Sequence, residues 1–204
     1  MYLNRNSWLL LVISFFVVVT GGVTWLTNSY SDWTLECPHG KVIKTLVSTF
    51  VGNKDRQWNF TCSDTAPRVN LTDCEWSGYI NEFRTHLYFQ CPNDGVISGV
   101  STYFDSNQSD RRFKFLCCSP GDYVSHACVY TPVMNFNTML LNVRVPDNWY
   151  LRGFNADYQY KLSAYDRLYY FNLCRLDRIL PPPECVENTS GKNITEYNTT
   201  VNGI

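Results

Sequence analysis

Three segments of the chain present the same functional groups in the same order. Asp55-Arg56-Gln57-Trp58-Asn59-Phe60 recurs as Asp110-Arg111-Arg112-Phe113-Lys114-Phe115, and again as Asp166-Arg167-Leu168-Tyr169-Tyr170-Phe171. Each copy sets a carboxylate beside a guanidinium, followed by two aromatic rings at alternate positions. Such groups suit recognition. A planar guanidinium stacks on an aromatic face or grips a carboxylate through two parallel bonds. They suit catalysis poorly, because Asp55, Asp110 and Asp166 recur in like surroundings, whereas acid–base chemistry needs carboxylates in unlike ones. The other reactive side chains agree. His39, His86 and His126 show no metal-ligand spacing. No nucleophile elbow, Walker loop or dinucleotide glycine pattern is present. The nine cysteines read as bridges made in an oxidising compartment and not as thiol nucleophiles. The sequence therefore predicts no enzymatic activity, no cofactor and no metal site.

The motif has two readings. In an extended strand alternate residues share a face, so Arg56, Trp58 and Phe60 lie together, as do Arg111, Phe113 and Phe115, and Arg167, Tyr169 and Phe171. In the structural reading the rings enter a core and each Asp caps a turn or pairs with an Arg of another unit. In the sharper reading the same residues build three related glycan pockets.

The elements that must position these groups are strands. Residues 42–50 and 96–104 are rich in β-branched side chains, and Gly, Asn, Asp and Pro clusters separate them from the Asp-Arg segments. No segment holds a 3.6-residue period. Upstream, Cys37-Pro38-His39-Gly40-Lys41-Val42-Ile43 matches Cys91-Pro92-Asn93-Asp94-Gly95-Val96-Ile97, and Gly99 and Gly153 occupy equivalent places. Each copy of the motif is followed by a cysteine, at Cys62, Cys117 and Cys174. The expected fold is all-β: one disulfide-stapled domain at 31–180, with repeats of about 55 residues near 37–62, 91–118 and 148–174. A pseudo-threefold trefoil- or prism-like arrangement follows from that triplication.

Composition narrows the partners. With 17 Lys+Arg against 18 Asp+Glu the net charge is -1, which argues against a nucleic-acid ligand. Arg5 is followed by an uncharged apolar run and Gly21-Gly22, so residues 1–21 read as a secretory signal peptide, with a signal anchor at 8–26 as the alternative. Sequons at Asn59, Asn70, Asn107, Asn188, Asn193 and Asn198 support secretion. Residues 181–204 open on three prolines and carry three of those sequons, and are expected to form a disordered glycosylated tail.

The triple motif, the Cys-Pro start and the vicinal Cys117-Cys118 together resemble the dermatopontin family over about residues 33–178. The resemblance implies a secreted matrix protein of cell adhesion that binds collagen, proteoglycan with its sulfated glycosaminoglycans, and cell-surface receptors. Invertebrate relatives imply the alternative, a defence lectin or agglutinin that binds glycans multivalently. This chain departs from the family's pattern in three ways. Only Tyr30 and Asp32 remain of a tyrosine-rich acidic start, Cys128 stands where two cysteines are expected, and the tail is additional. Repeat logic pairs Cys37 with Cys62, and Cys91 with Cys117 or Cys118. Neighbouring cysteines face opposite sides, so Cys74 takes the other one, and Cys128 ties to Cys174. Cys185 is left to stay free, to link two chains in self-association, or to pair internally with Cys128 or Cys174. Arg111, Arg112, Lys114, Arg175 and Arg178 are the candidate sulfated-glycan contacts.

Overall fold

The computed structural model describes residues 27–52 and 54–180. The signal segment, the tail, Cys185, Asn188, Asn193 and Asn198 lie outside those residues. Eleven strands and no helix are present among the described residues. They are β1 (Trp33–Glu36), β2 (Lys41–Val51), β3 (Asp55–Asp64), β4 (Thr72–Trp76), β5 (Leu87–Gln90) and β6 (Val96–Asp105). They continue as β7 (Asp110–Ser119), β8 (Tyr123–Tyr130), β9 (Leu141–Arg144), β10 (Tyr150–Lys161) and β11 (Ala164–Arg178).

The long strands form three antiparallel hairpins, β2–β3, β6–β7 and β10–β11. Each is entered through a turn opened by proline. The amides of Lys41, Gly95 and Trp149 donate to the carbonyls of Pro38, Pro92 and Pro146. Gly40, Asp94 and Asn148 take the left-handed conformation those turns require, and these are residue types that reach it at little cost. Every hairpin then has a bulge at the same place, at Lys44, Ser98 and Arg152.

The bulges receive a neighbour. The short strand β1 pairs not with its own hairpin but with β6, β5 pairs with β10, and β9 pairs back with β2. Each exchange ends on a bulge. The amides of Cys37, Cys91 and Val145, just beyond the short strands, donate to the carbonyls of Ser98, Arg152 and Lys44 at 2.8–2.9 Å. The bulge thus supplies the carbonyl that a regular ladder would have used inside the hairpin. The three sheets are β1-β6-β7-β4, β5-β10-β11-β8 and β3-β2-β9. They are separate sheets, linked in a cycle by exchanged strands.

One hydrophobic core joins them. Trp58, Phe60, Phe113, Phe115, Tyr169 and Phe171 are all buried in it, with Leu46, Val100 and Phe154 from the partner strands of the hairpins. Phe154 touches rings from all three motif copies, with centroids 6.3 Å from Trp58, 5.1 Å from Phe115 and 5.1 Å from Phe171. The aromatic rings converge on one interior instead of lining three outward pockets.

Candidate functional site

At the start of β3, β7 and β11 the charged half of each motif is as buried as the aromatic half. Asp55, Arg56, Asp110, Arg111, Asp166 and Arg167 are at most 6% exposed. Each Asp grips the Arg of another copy. Arg111 donates through Nε and Nη2 to the two carboxylate oxygens of Asp55, both at 2.6 Å. Arg167 does the same to Asp110 at 2.8 and 2.6 Å, and Arg56 to Asp166 at 2.7 and 2.7 Å. The order is cyclic: first to second, second to third, third to first. Bidentate geometry satisfies both planes at once, which a buried pair needs to offset its desolvation.

The carboxylates do a second task. The amides of Tyr30, Arg84 and Thr138 donate to Asp55, Asp110 and Asp166 at 2.7–2.8 Å. Those three residues all have a left-handed backbone, near φ 60°, so each Asp holds a strained turn in place. The remaining guanidinium donors reach the carbonyls of Ser31, Thr85 and Met139. The arginines lie over rings of neighbouring strands: Arg56 over Phe50 and Tyr169, Arg111 over Trp33 and Phe104, and Arg167 over Tyr158. The space between the three pairs is about 20 Å³, which is room for about one water and no sugar. With every strong donor and acceptor occupied, this cluster fastens the fold. The glycan-pocket reading of the motif does not match that burial.

Residues next to the motif that the sequence reading did not single out clamp its strands. Asn81 and Asn135 each clamp a motif strand, donating to the carbonyls of Arg111 and Arg167 and accepting the amides of Phe113 and Tyr169. Thr27 does the same to Trp58 with its hydroxyl and backbone amide. Equal spacing of Thr27, Asn81 and Asn135 is the signal that could have found them.

The cysteines are joined as Cys37–Cys62, Cys91–Cys117, Cys74–Cys118 and Cys128–Cys174. They form two kinds. Cys37–Cys62 and Cys91–Cys117 tie the entry turn of a hairpin to its second strand. Cys74–Cys118 and Cys128–Cys174 tie β4 and β8 to β7 and β11. The register aligns Cys62 with Cys117 and Leu173, because these oppose Ile43, Ile97 and Leu151. Cys174 is therefore the counterpart of Cys118 and not of Cys117, a correction by one residue to the repeat read from the sequence. In the third unit the buried Val145 and Leu173 stand where the other units have a bridge.

The basic candidates separate. Arg111 is spent inside on Asp55 and is not available to a sulfated glycan, which removes it from that set. Arg112 is partly buried and donates to the Asn81 carbonyl and to Glu82, while Lys114 lies over Trp76 and Tyr79. Arg175 and Arg178 are exposed on β11, in a different sheet. The five do not form one patch. Asn70 and Asn107 are exposed, and Asn59 is half-buried between the buried Trp58 and Phe60 on β3. Among the described residues no group of three or more His, Cys, Asp or Glu side chains is placed to hold a metal ion.

Comparison with known proteins fits this architecture. The family described as Dermatopontin matches residues 27–178, from the first clamp to the end of β11. The chain belongs to the dermatopontin family. A dermatopontin of Biomphalaria glabrata is 35% identical over 143 residues, covering 69% of this chain and 92% of its own. A hemagglutinin/amebocyte aggregation factor of Limulus polyphemus is 28% identical, covering 81% of this chain and 95% of its own. The dermatopontin of Mus musculus is 26% identical, covering 74% and 77%. No solved structure gives a significant match.

Proposed function

We propose that this dermatopontin-family chain is a secreted adhesive protein of the extracellular matrix that holds partners on a rigid surface and performs no chemistry. One observation carries the reading. The repeated reactive groups, three Asp and three Arg, are consumed in fastening three units to one another, which leaves recognition to the outer faces of the sheets. Family membership supports collagen and proteoglycan as partners, with Arg175 and Arg178, and secondarily Arg112 and Lys114, as contacts for sulfated chains. Glycans at Asn59, Asn70 and Asn107 and cleavage of the signal segment belong to the same reading. Collagen-fibril sedimentation tests it: the purified chain should co-sediment, and should be retained on heparin beyond about 0.15 M salt. Failure in both assays, with no cell binding, would end the reading.

The likeness to the Limulus factor favours a second reading, an agglutinin. Three units on one scaffold can raise avidity by about 10²–10⁴ without new contacts. Red-cell agglutination blocked by a simple sugar decides for it. Collagen capture indifferent to sugar decides for the matrix role.

A further inference from the structure

The outer face of the β5-β10-β11-β8 sheet carries a row of side chains that its counterparts lack. Across hydrogen-bonded neighbours the row reads Tyr88, Asn155, Tyr170. The corresponding row is Thr34, Ser101, Lys114 in the β1-β6-β7-β4 sheet, and Asn142, Val47, Asn59 in the β3-β2-β9 sheet. The fold accepts three different chemistries at this place, so the backbone does not itself demand two tyrosines around an amide.

The contrast extends to hydrogen bonding. In the first sheet the small hydroxyls satisfy one another, with Thr34 Oγ1 2.7 Å from Ser101 Oγ. In the second, Asn155 is 5% exposed. Its Oδ1 accepts the Phe89 amide at 3.2 Å, while its Nδ2 has no partner. A buried donor without an acceptor in the chain is disfavoured, and either water or a ligand hydroxyl can supply one. Above it lies a groove of about 400 Å³ lined by Tyr88, Phe89, Gln90, Tyr130, Asn155 and Tyr170, within the roughly 300–1,000 Å³ of small-molecule sites. Tyr88 and Tyr130 are 60% and 63% exposed, and the Tyr88 and Tyr170 rings meet at 64° with centroids 6.4 Å apart.

A pyranose has C–H faces and a rim of hydroxyls. Aromatic faces take the first, and amides such as Asn155 Nδ2 and the Gln90 side chain take the second. The lining contains no Lys or Arg. At its edge sits the Asp157 carboxylate, 2.8 Å from His86 Nδ1 and accepting the Tyr88 hydroxyl at 3.5 Å. A carboxylate beside the groove opposes sulfate and favours a hydroxyl-rich, uncharged ligand. We propose that this groove binds an uncharged pyranose of a glycan, with Tyr88, Tyr130 and Tyr170 as ring contacts and Asn155 as the buried hydroxyl partner. The proposal rests on the adhesive reading above and gives it a sugar site separate from the basic residues.

The test uses the full chain on immobilised galactose, glucose, mannose, N-acetylglucosamine and N-acetylgalactosamine glycosides, with heparin and dermatan sulfate alongside. Saturable, salt-insensitive binding to at least one uncharged sugar is expected. It should fall about tenfold or more in Asn155→Ser and in Tyr170→Lys, which place the first sheet's residues in this row. Heparin retention should not fall in Asn155→Ser. Should those variants lose their fold, Tyr130→Ala alters an exposed side chain and must lower sugar binding. Absence of binding to every uncharged sugar overturns the proposal, as does undiminished binding by folded variants. Collagen capture and agglutination are measured on the same samples. If they persist without uncharged-sugar binding, the groove falls and the adhesive reading stands. If sugar binding appears without either, the groove stands and the adhesive reading falls.

Discussion

Six charges are held out of water here, and they are tolerable because they cancel in pairs. Removing one member leaves the other buried and alone. Asp55→Asn, Asp110→Asn and Asp166→Asn should each lower stability by about 3–5 kcal/mol in denaturant titration, and by similar amounts, since their surroundings repeat. The double variant Asp55→Leu/Arg111→Met should recover part of that loss, because two apolar side chains carry no desolvation cost, while the Tyr30 amide and the Ser31 carbonyl still lose their partners. Tyr158 gives a pH test. Burial, with Asp110 nearby, pushes its hydroxyl up to about 12 from an ordinary value near 10. A group raised in the folded state contributes stability that is complete below its unfolded value and is lost as pH rises through the folded one. The stability difference between the parent and Tyr158→Phe should therefore move against the parent as the pH is raised from about 10 to about 12. At neutral pH Tyr158→Phe should cost little, because the hydroxyl has no hydrogen-bond partner. At this scale the sequence showed which residues mattered and left their partners open. Spacing put Asp55 with Asp110 and Arg56 with Arg111 in equivalent places, but only adjacency in space shows that Asp55 and Arg111 grip each other. Asn155 and Tyr170 share the β10–β11 hairpin, but Tyr88 joins them from β5, much earlier in the chain, so no local pattern could announce their row.

The strands were more legible than the sheets. β-Branched runs and alternating aromatic residues marked β2, β3, β6 and β7, because burial on one face imposes a period of two. The bulges left no such trace, because a one-residue shift of register marks no residue type. The cysteine offset is a matter of counting along the motif strand: Cys174 stands three residues after Phe171, whereas Cys62 and Cys117 stand two after Phe60 and Phe115. The short strands β1, β5 and β9 were invisible for another reason: each is four residues long and is completed by another unit's hairpin. The two glycines beside the bulges show how tight that exchange is. A Cβ on Gly99 would stand 2.9 Å from the Leu35 carbonyl and 3.0 Å from Leu116 Cβ, and one on Gly153 2.7 Å from Asn172 Cβ and 3.0 Å from the Phe89 carbonyl. Gly99→Ala and Gly153→Ala should each cost about 1–3 kcal/mol by overpacking, read as a lowered melting temperature. Gly78→Ala meets nothing within 4 Å and should leave the melting temperature unchanged.

Among the described residues the molecule is fastened three ways: by exchanged strands, by the Asp–Arg cycle and by four bridges. Triplication in the sequence made an all-β fold with repeated units legible. The direction of exchange was not, since a repeat states similarity and says nothing about who pairs with whom. Opening the Cys128–Cys174 bridge by Cys128→Ser should cost about 2–5 kcal/mol, measured by denaturant midpoint under non-reducing conditions. Cys185 is a separate matter. On a non-reducing gel the parent chain should show a linked dimer that Cys185→Ser abolishes, and identical migration of the two would end the idea that this cysteine joins chains.

The last link of the cycle has a consequence for how the chain is made. β9 must return to β2, and Arg56 must wait for Asp166, a partner 110 residues later. While the chain is still emerging from the ribosome, the first hairpin can form and even close Cys37–Cys62, whose partners lie 25 residues apart, but its edge stays bare until β9 arrives and its buried arginine until β11 does. The final cooperative step therefore waits for β11 and is slow by its topology, and a chain truncated before β11 should accumulate as an incompletely folded species instead of a smaller version of the same protein.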